Sequence, residues 1–249
     1  MYEILNKINS PADVKKLNAA ELETLASDIR EALFNRLTKF GGHFGPNFGI
    51  VETEIAMHYV FNSPKDKFVF DVSHQSYPHK MMTGRKKGYI DDACFAEDSG
   101  YTNPEESEHD LFNVGHTSTS VSLACGLAKA RDLKGGKENV IALIGDGSLS
   151  GGEALEALDF IGSDLHSNLI IIVNDNQQSI AEVHGGLYKN QKECAVYRRK
   201  RHSKYRRRNC ARRQRINGIL RLFFRAVPRR GQHYLLVYRG GCCFLCRSQ

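Results

Sequence analysis

The chain has 249 residues, enough for one large domain or two small ones, and 41% of them are hydrophobic, adequate for a packed core. No apolar run reaches the length of a membrane span and the N-terminus carries no signal-peptide pattern, so the expectation is a cytoplasmic protein without a membrane partner. The net charge of +7 is uneven: residues 197–249 hold 17 of the 35 Lys and Arg and none of the 28 Asp and Glu, which leaves residues 1–196 at −10.

The first elements read as helices. Ser10-Pro11 places proline at a first helical position, and Asn18 with Glu21 three residues later forms a capping-box pattern. Leu22, Leu25, Ile29, Leu33 and Leu37 then line one apolar face. Gly41-Gly42-His43-Phe44-Gly45 follows as a tight loop that presents the His43 imidazole, and Val51 to Phe61 reads as a buried helix. Phe68-Val-Phe-Asp71 is a strand, and Ser73 to Lys80 is the loop after it. Two histidines and a lysine at the carboxyl end of a strand suit an anionic ligand. His74 and His79 also suggest zinc, but no third ligand is near. Lys80 and Arg85 are basic candidates for a substrate phosphate, set against ordinary solvated charges. Asp91 to Glu108 is polar and acidic and reads as a mobile surface segment. Asn113 to Ser120 leads into a helix over Val121–Leu133, where hydroxyl side chains and free amides at the helix start make an anion site.

The most informative stretch is Asn139 to Asn176. Asn139-Val-Ile-Ala-Leu-Ile144 is a buried strand ending in Gly145-Asp146-Gly147. Ala154, Leu155, Leu158 and Ile161 have helical spacing. Leu169-Ile-Ile-Ile-Val173 is an aliphatic run suited to a central parallel strand, and it ends in Asn174-Asp175-Asn176. A right-handed β-α-β unit sets both loops side by side. A hard dication such as Mg2+ takes oxygen ligands and bridges a carboxylate to a diphosphate; Asp146 offers the charged oxygen and Asn176 a neutral one. Gly145 and Gly147 let backbone approach a phosphate. Gly145-x-Gly147-x-x-x-Gly151 also approaches a dinucleotide fingerprint, with one residue too many before the third glycine.

GDG, then 26 residues, then NDN resembles the thiamine-diphosphate motif of transketolase-like enzymes. GGHFGPNFG, DVSHQSYPHKMMTGR and NVGHTSTS match the 1-deoxy-D-xylulose-5-phosphate synthase branch, in order, and the likeness runs from Met1 to about Asn190. The resemblance implies an α/β fold, a mostly parallel sheet with helices on both faces, with residues 1–192 as a domain that binds thiamine diphosphate and Mg2+. It implies Asp146, Asn176 and the backbone carbonyl of Gln178 as metal ligands. It places His74, Gly115, His116, Thr117, Gly147, Ser148 and Asn176 on the cofactor, and His43 near the reactive carbon as the catalytic residue. The implied reaction joins pyruvate to glyceraldehyde 3-phosphate with release of carbon dioxide. The product is a precursor of isoprenoids, thiamine and pyridoxal, and the implied assembly is a homodimer. Ser73 and Ser76 stand where most members of the family have Gly and Ala. In that family a glutamate on a second domain activates the cofactor. These residues alone are therefore expected to bind it weakly and not to turn over.

Residues 193–249 form an Arg- and Cys-rich tail without sustained helical or strand periodicity. One reading is a basic arm for nucleic acid, with Tyr197 and Tyr205 among the arginines. The other is a frame slip in the gene near Asn190, and the abrupt loss of acids favours it over nucleic acid as a partner. A third possibility for the whole chain is the N-terminal subunit of a split transketolase.

Overall fold

Capping starts the first long helix where the sequence places it. In the computed structural model the Asn18 side chain accepts from the amides of Ala20 and Glu21, and the Glu21 carboxylate returns to the Asn18 amide at 2.8 Å. The structure describes residues 2–163, 165 and 167–175, and the backbone of 234–239 and 242–247.

After a 3-10 turn at Leu5–Lys7 come α1 (Pro11–Val14), α2 (Ala19–Phe40), α3 (Phe44–Val60), β1 (Lys67–Phe70), α4 (Tyr77–Lys80), α5 (Lys87–Ile90), α6 (Ser120–Leu133), β2 (Val140–Gly145), α7 (Gly152–Ser163) and β3 (Ile170–Asp175). Two further strands, β4 (Tyr234–Arg239) and β5 (Cys242–Arg247), complete a sheet of order β1-β2-β3-β4-β5. The first four strands are parallel and β5 is antiparallel to β4. These last strands come from the Arg-rich segment. Each is only six residues long, too short to stand out by periodicity among so many arginines.

Alternation along the parallel strands divides the core into two layers. Phe68, Phe70, Ile141, Leu143, Ile170 and Ile172 pack under α2 and α3, with Leu22, Leu25, Ile29, Leu33, Ile50 and Ile55. Val69, Val140, Ala142, Ile144, Ile171 and Val173 face α6 and α7, with Val121, Ala124, Ala128, Ala154 and Ile161. Helices therefore cover both faces of a mostly parallel sheet, as expected for an α/β fold. Among the described residues no helix is long and apolar enough to cross a membrane.

Two elements differ from the sequence reading. α3 begins at Phe44, directly after His43, and Pro46 falls within its first turn, where a missing amide costs no helical bond. Glycine and proline in that stretch read as a loop by sequence. The segment from Asp91 to Glu108 is pinned rather than loose: Asp92–Glu97 forms a 3-10 helix, and Glu106 turns inward to Lys80 and Arg85.

Candidate active site

Parallel pairing puts three strand ends at one edge. Phe70 lies opposite Leu143, and Gly145 lies opposite Asn174. The chain leaves these strands as Asp71, Asp146 and Asp175, all buried. The strand ends joined through α7, at Gly145 and Asn174, therefore lie side by side.

Each aspartate has a different fate. The Asp71 carboxylate accepts from the amides of Ser118, Thr119 and Ser120 at 2.9–3.2 Å, so it caps α6. The amides expected to greet an anion at that helix start are thus taken by a side chain. Gly115, His116 and Thr117 lie just before them, exposed, and His116 Nδ1 sits 2.9 Å from the Thr117 carbonyl oxygen. Asp146 meets another acid. Burial, and after it the Asp175 carboxylate, push the Asp146 carboxyl up to about 6. Two acids forced together this way form a site that a cation would relieve. Gly147 and Ser148 follow Asp146 in a short 3-10 turn, both half-buried; the Ser148 carbonyl accepts from Ser118 Oγ at 2.6 Å. Asn176 and Gln178, expected beside Asp146, lie outside the described residues. Among the described residues no three His, Cys, Asp or Glu gather as a metal cage. Mg2+ held by one carboxylate, amide oxygens and a diphosphate does not need one.

The loop from Val72 to Ser76 closes the site from the β1 side. Val72 and Ser73 both have positive φ, at 58° and 67°, a strained conformation for residues with a Cβ. Ser73 Oγ donates to the Val114 carbonyl at 2.8 Å and accepts from the Thr102 amide at 3.1 Å, bonds that hold the loop in this shape. His74 is half-buried, and its Nδ1 has no partner among the described residues. Gln75 Oε1 accepts weakly from Asn174 Nδ2 at 3.4 Å, while Gln75 Nε2 and Asn174 Oδ1 are buried and without a partner among the described residues. A Cβ built at Gly145 or Gly115 would meet nothing within 4 Å. Orphaned polar atoms, an acid pair and open space at the glycines are features that fit a magnesium diphosphate.

His43 faces His74 edge to face, with ring centroids 5.4 Å apart. Gly41 and Gly42 before it have φ of +75° and +131°, conformations that require glycine, and a Cβ at Gly42 would lie 2.7 Å from Leu37 Cδ2. The Tyr77 hydroxyl accepts from the His43 amide at 3.4 Å and shares a hydrogen bond of 3.2 Å with Nδ1, whose direction follows the tautomer of the ring. Burial lowers the His43 pKa; burial, then the neighbouring His43, lowers that of His74. Both rings are kept neutral.

Lys80 and Arg85 are neither phosphate ligands nor solvated charges. Lys80 Nζ pairs with Glu106 at 2.5 Å, its side chain fully buried. Arg85 grips Asp110 with two bonds of 2.7 and 2.9 Å. His79, paired with His74 in the zinc idea, turns away to Asp110 at 3.0 Å and to His58 at 2.9 Å. Their spacing in sequence gave no hint of Glu106 and Asp110 as partners, because Glu106 lies in the stretch from Asp91 to Glu108 that reads as surface and Asp110 just beyond it.

The fold is that of transketolase chains. A transketolase from Campylobacter jejuni superimposes with a TM-score of 0.64 at 17% identity, covering 90% of this chain and 38% of that one. The sequence is more specific. Residues 5–235 match the family model described as 1-deoxy-D-xylulose-5-phosphate synthase, and the chain belongs to that family. It is 53% identical over 178 residues to the 1-deoxy-D-xylulose-5-phosphate synthase of Dictyoglomus thermophilum and 49% identical over 184 residues to that of Chlorobium phaeovibrioides. The alignments cover 72% and 74% of this chain, which spans 29% of the length of either relative.

Proposed function

We propose that these residues hold the magnesium-diphosphate end of thiamine diphosphate in an enzyme that condenses pyruvate with glyceraldehyde 3-phosphate to 1-deoxy-D-xylulose 5-phosphate. The observation that carries this reading is Asp146, a buried carboxyl at the tip of β2 pushed up to about 6 by burial and by Asp175 at the tip of the neighbouring β3. Asp146 would hold Mg2+, with Asn176 and Gln178 as further ligands. His74, Gly115, His116, Thr117, Gly147 and Ser148 would line the cofactor. When bound, thiamine diphosphate supplies a carbon that adds to ketones and accepts the electron pair released by decarboxylation.

The chain's own residues deal with charge and protons. The overall change consumes one proton: the pyruvate carboxylate leaves as carbon dioxide, the acyl carbon joins the aldehyde carbon, and the aldehyde oxygen becomes a hydroxyl. His43 is the group suited to carry that proton: its neutral ring takes one up from water, and the imidazolium hands it to the aldehyde oxygen, while the Tyr77 hydroxyl at Nδ1 orients the ring. The low pKa that burial gives His74 keeps a second positive charge away from His43.

The test is calorimetric titration with thiamine diphosphate in excess Mg2+. The expected result is saturable binding that Asp146→Ala weakens by at least about tenfold, some 1.4 kcal/mol. No heat with the unchanged chain, or equal binding by Asp146→Ala, overturns the reading. The 249-residue polypeptide alone is expected to bind without steady release of carbon dioxide; a homodimer is expected on sizing.

A further inference from the structure

His43 and His74 come from segments 31 residues apart, yet no hydrogen bond links one ring to the other. What joins their segments is a third side chain. Asn47, in the first turn of α3, is fully buried, and its carboxamide makes three bonds, all to backbone. Nδ2 donates to the carbonyl of His43 at 2.7 Å and to the carbonyl of His74 at 2.8 Å. Oδ1 accepts from the amide of Tyr77 at 3.0 Å.

Both amide protons and the oxygen are used, so no other side chain of this size fits the pattern. Aspartate has the shape but offers no donors to the two carbonyls, and leucine offers nothing. The third bond closes a circuit. By holding the Tyr77 amide, Asn47 fixes the start of α4, and from there the Tyr77 hydroxyl reaches back to His43 Nδ1. His43 is therefore held at its carbonyl by Asn47 and at its ring by a tyrosine that Asn47 also places.

We propose that Asn47 is a positioning residue that sets the His43 and His74 imidazoles against each other and touches neither ring. Its functional meaning rests on the reading above, in which the two rings flank the cofactor. The bracket itself is a property of the unliganded chain and is tested there.

The first measurement uses the unchanged protein in solution NMR. The Asn47 side-chain amide protons are expected to exchange far more slowly than those of the exposed Asn35. Exchange as fast as at Asn35 overturns the proposal, whatever any variant does. The second uses Asn47→Asp and Asn47→Ala. The imidazole signals of His43 and His74 are expected to shift, while that of His109, bonded to Ser63 Oγ, stays in place. A folded variant with unmoved His43 and His74 signals overturns the proposal, and so does one in which His109 moves with them, since that marks a general structural role. If both variants unfold, the exchange measurement decides. The third is binding. Affinity for thiamine diphosphate with Mg2+ is expected to fall by about tenfold in folded Asn47→Asp, the scale of one or two lost hydrogen bonds. Undiminished binding with displaced histidines ends the inference and leaves the proposed function standing. No binding by the unchanged chain ends the proposed function and leaves the exchange and shift results as the test of Asn47.

Discussion

Two buried polar clusters sit within the same half of the molecule, and they are built on opposite rules. In one, the charged groups of His79, Lys80, Arg85, Glu106 and Asp110 pair with one another and His58 bonds to His79, leaving His58 Nδ1 and Arg85 Nε without a partner among the described residues. Burial alone would raise the Asp110 carboxyl, but bonds from His79 and Arg85 outweigh it and hold that group far below the ordinary carboxylate range. At Glu106 burial is likewise outweighed, by Lys80 and Ser99, down to about 2. In the other, Asp146, His74, Gln75 and Asn174 leave an acid under pressure and buried atoms unmatched. A network whose charges pair serves the fold; a pair of acids left together at strand ends is the kind of feature that a bound cation would relieve. The family motifs run through both clusters, so membership in a motif does not say which kind of work a residue does. Partners do.

The comparison breaks most sharply at Asp110. Asp110→Ala strands a buried guanidinium and is expected to cost about 3–5 kcal/mol, read as a lower urea midpoint. The same cluster sets acid sensitivity. Burial, against the pull of Asp110, lowers His79 to about 4, so the folded state stays neutral there while the unfolded state takes up a proton below its ordinary 6.5. A depressed histidine contributes stability that is present above 6.5 and lost as pH falls toward 4. Glu106 adds a second loss between 4.5 and about 2. Chemical denaturation is expected to show stability falling in both windows once the opposing titration of Asp146 is removed by Asp146→Asn, and a flat profile in that variant would contradict the paired-network account.

Ser73 lies on the border between the two clusters. Ser73→Ala leaves the buried Thr102 amide and Val114 carbonyl without their partner and is expected to cost about 1–3 kcal/mol in thermal or urea melts. Ser73→Gly loses the same bonds but relieves the positive φ, worth about 1–2 kcal/mol, and is expected to cost less. A glycine variant no more stable than the alanine one would show that the loop is unstrained.

The smallest effect has the opposite sign. Asp146→Asn removes the charge that Asp175 opposes, so the ligand-free protein is expected to gain on the order of 1 kcal/mol above pH 6. The raised pKa means that the penalty is absent below the ordinary 3.8 and grows in as pH rises through about 6, so the gain should vanish in acid. The same variant should lose the rise in melting temperature that Mg2+ with thiamine diphosphate gives the unchanged chain. Gain of stability with loss of ligand response marks a site kept for binding.

Much of this was legible in the chain. Asn18 and Glu21 announced a helix start, the aliphatic runs at Val140 and Ile170 announced buried parallel strands, and the glycines before His43 announced a tight turn. Lys80 and Arg85 were misread because a charge in a motif at the end of a strand looks like a ligand for an anion. Asn47 passed unnoticed inside GGHFGPNFG because a carboxamide has no characteristic spacing, and its three partners lie up to 30 residues away.

Local order and periodicity determined the elements, their sequence and the edge at which Asp146 would emerge, since these depend on neighbours within a turn or a strand. Tertiary structure alone decided which polar groups are satisfied and which are left waiting. That depends on where distant segments meet, and a buried carboxylate is at ease or under pressure according to what the fold sets within about 3 Å of it.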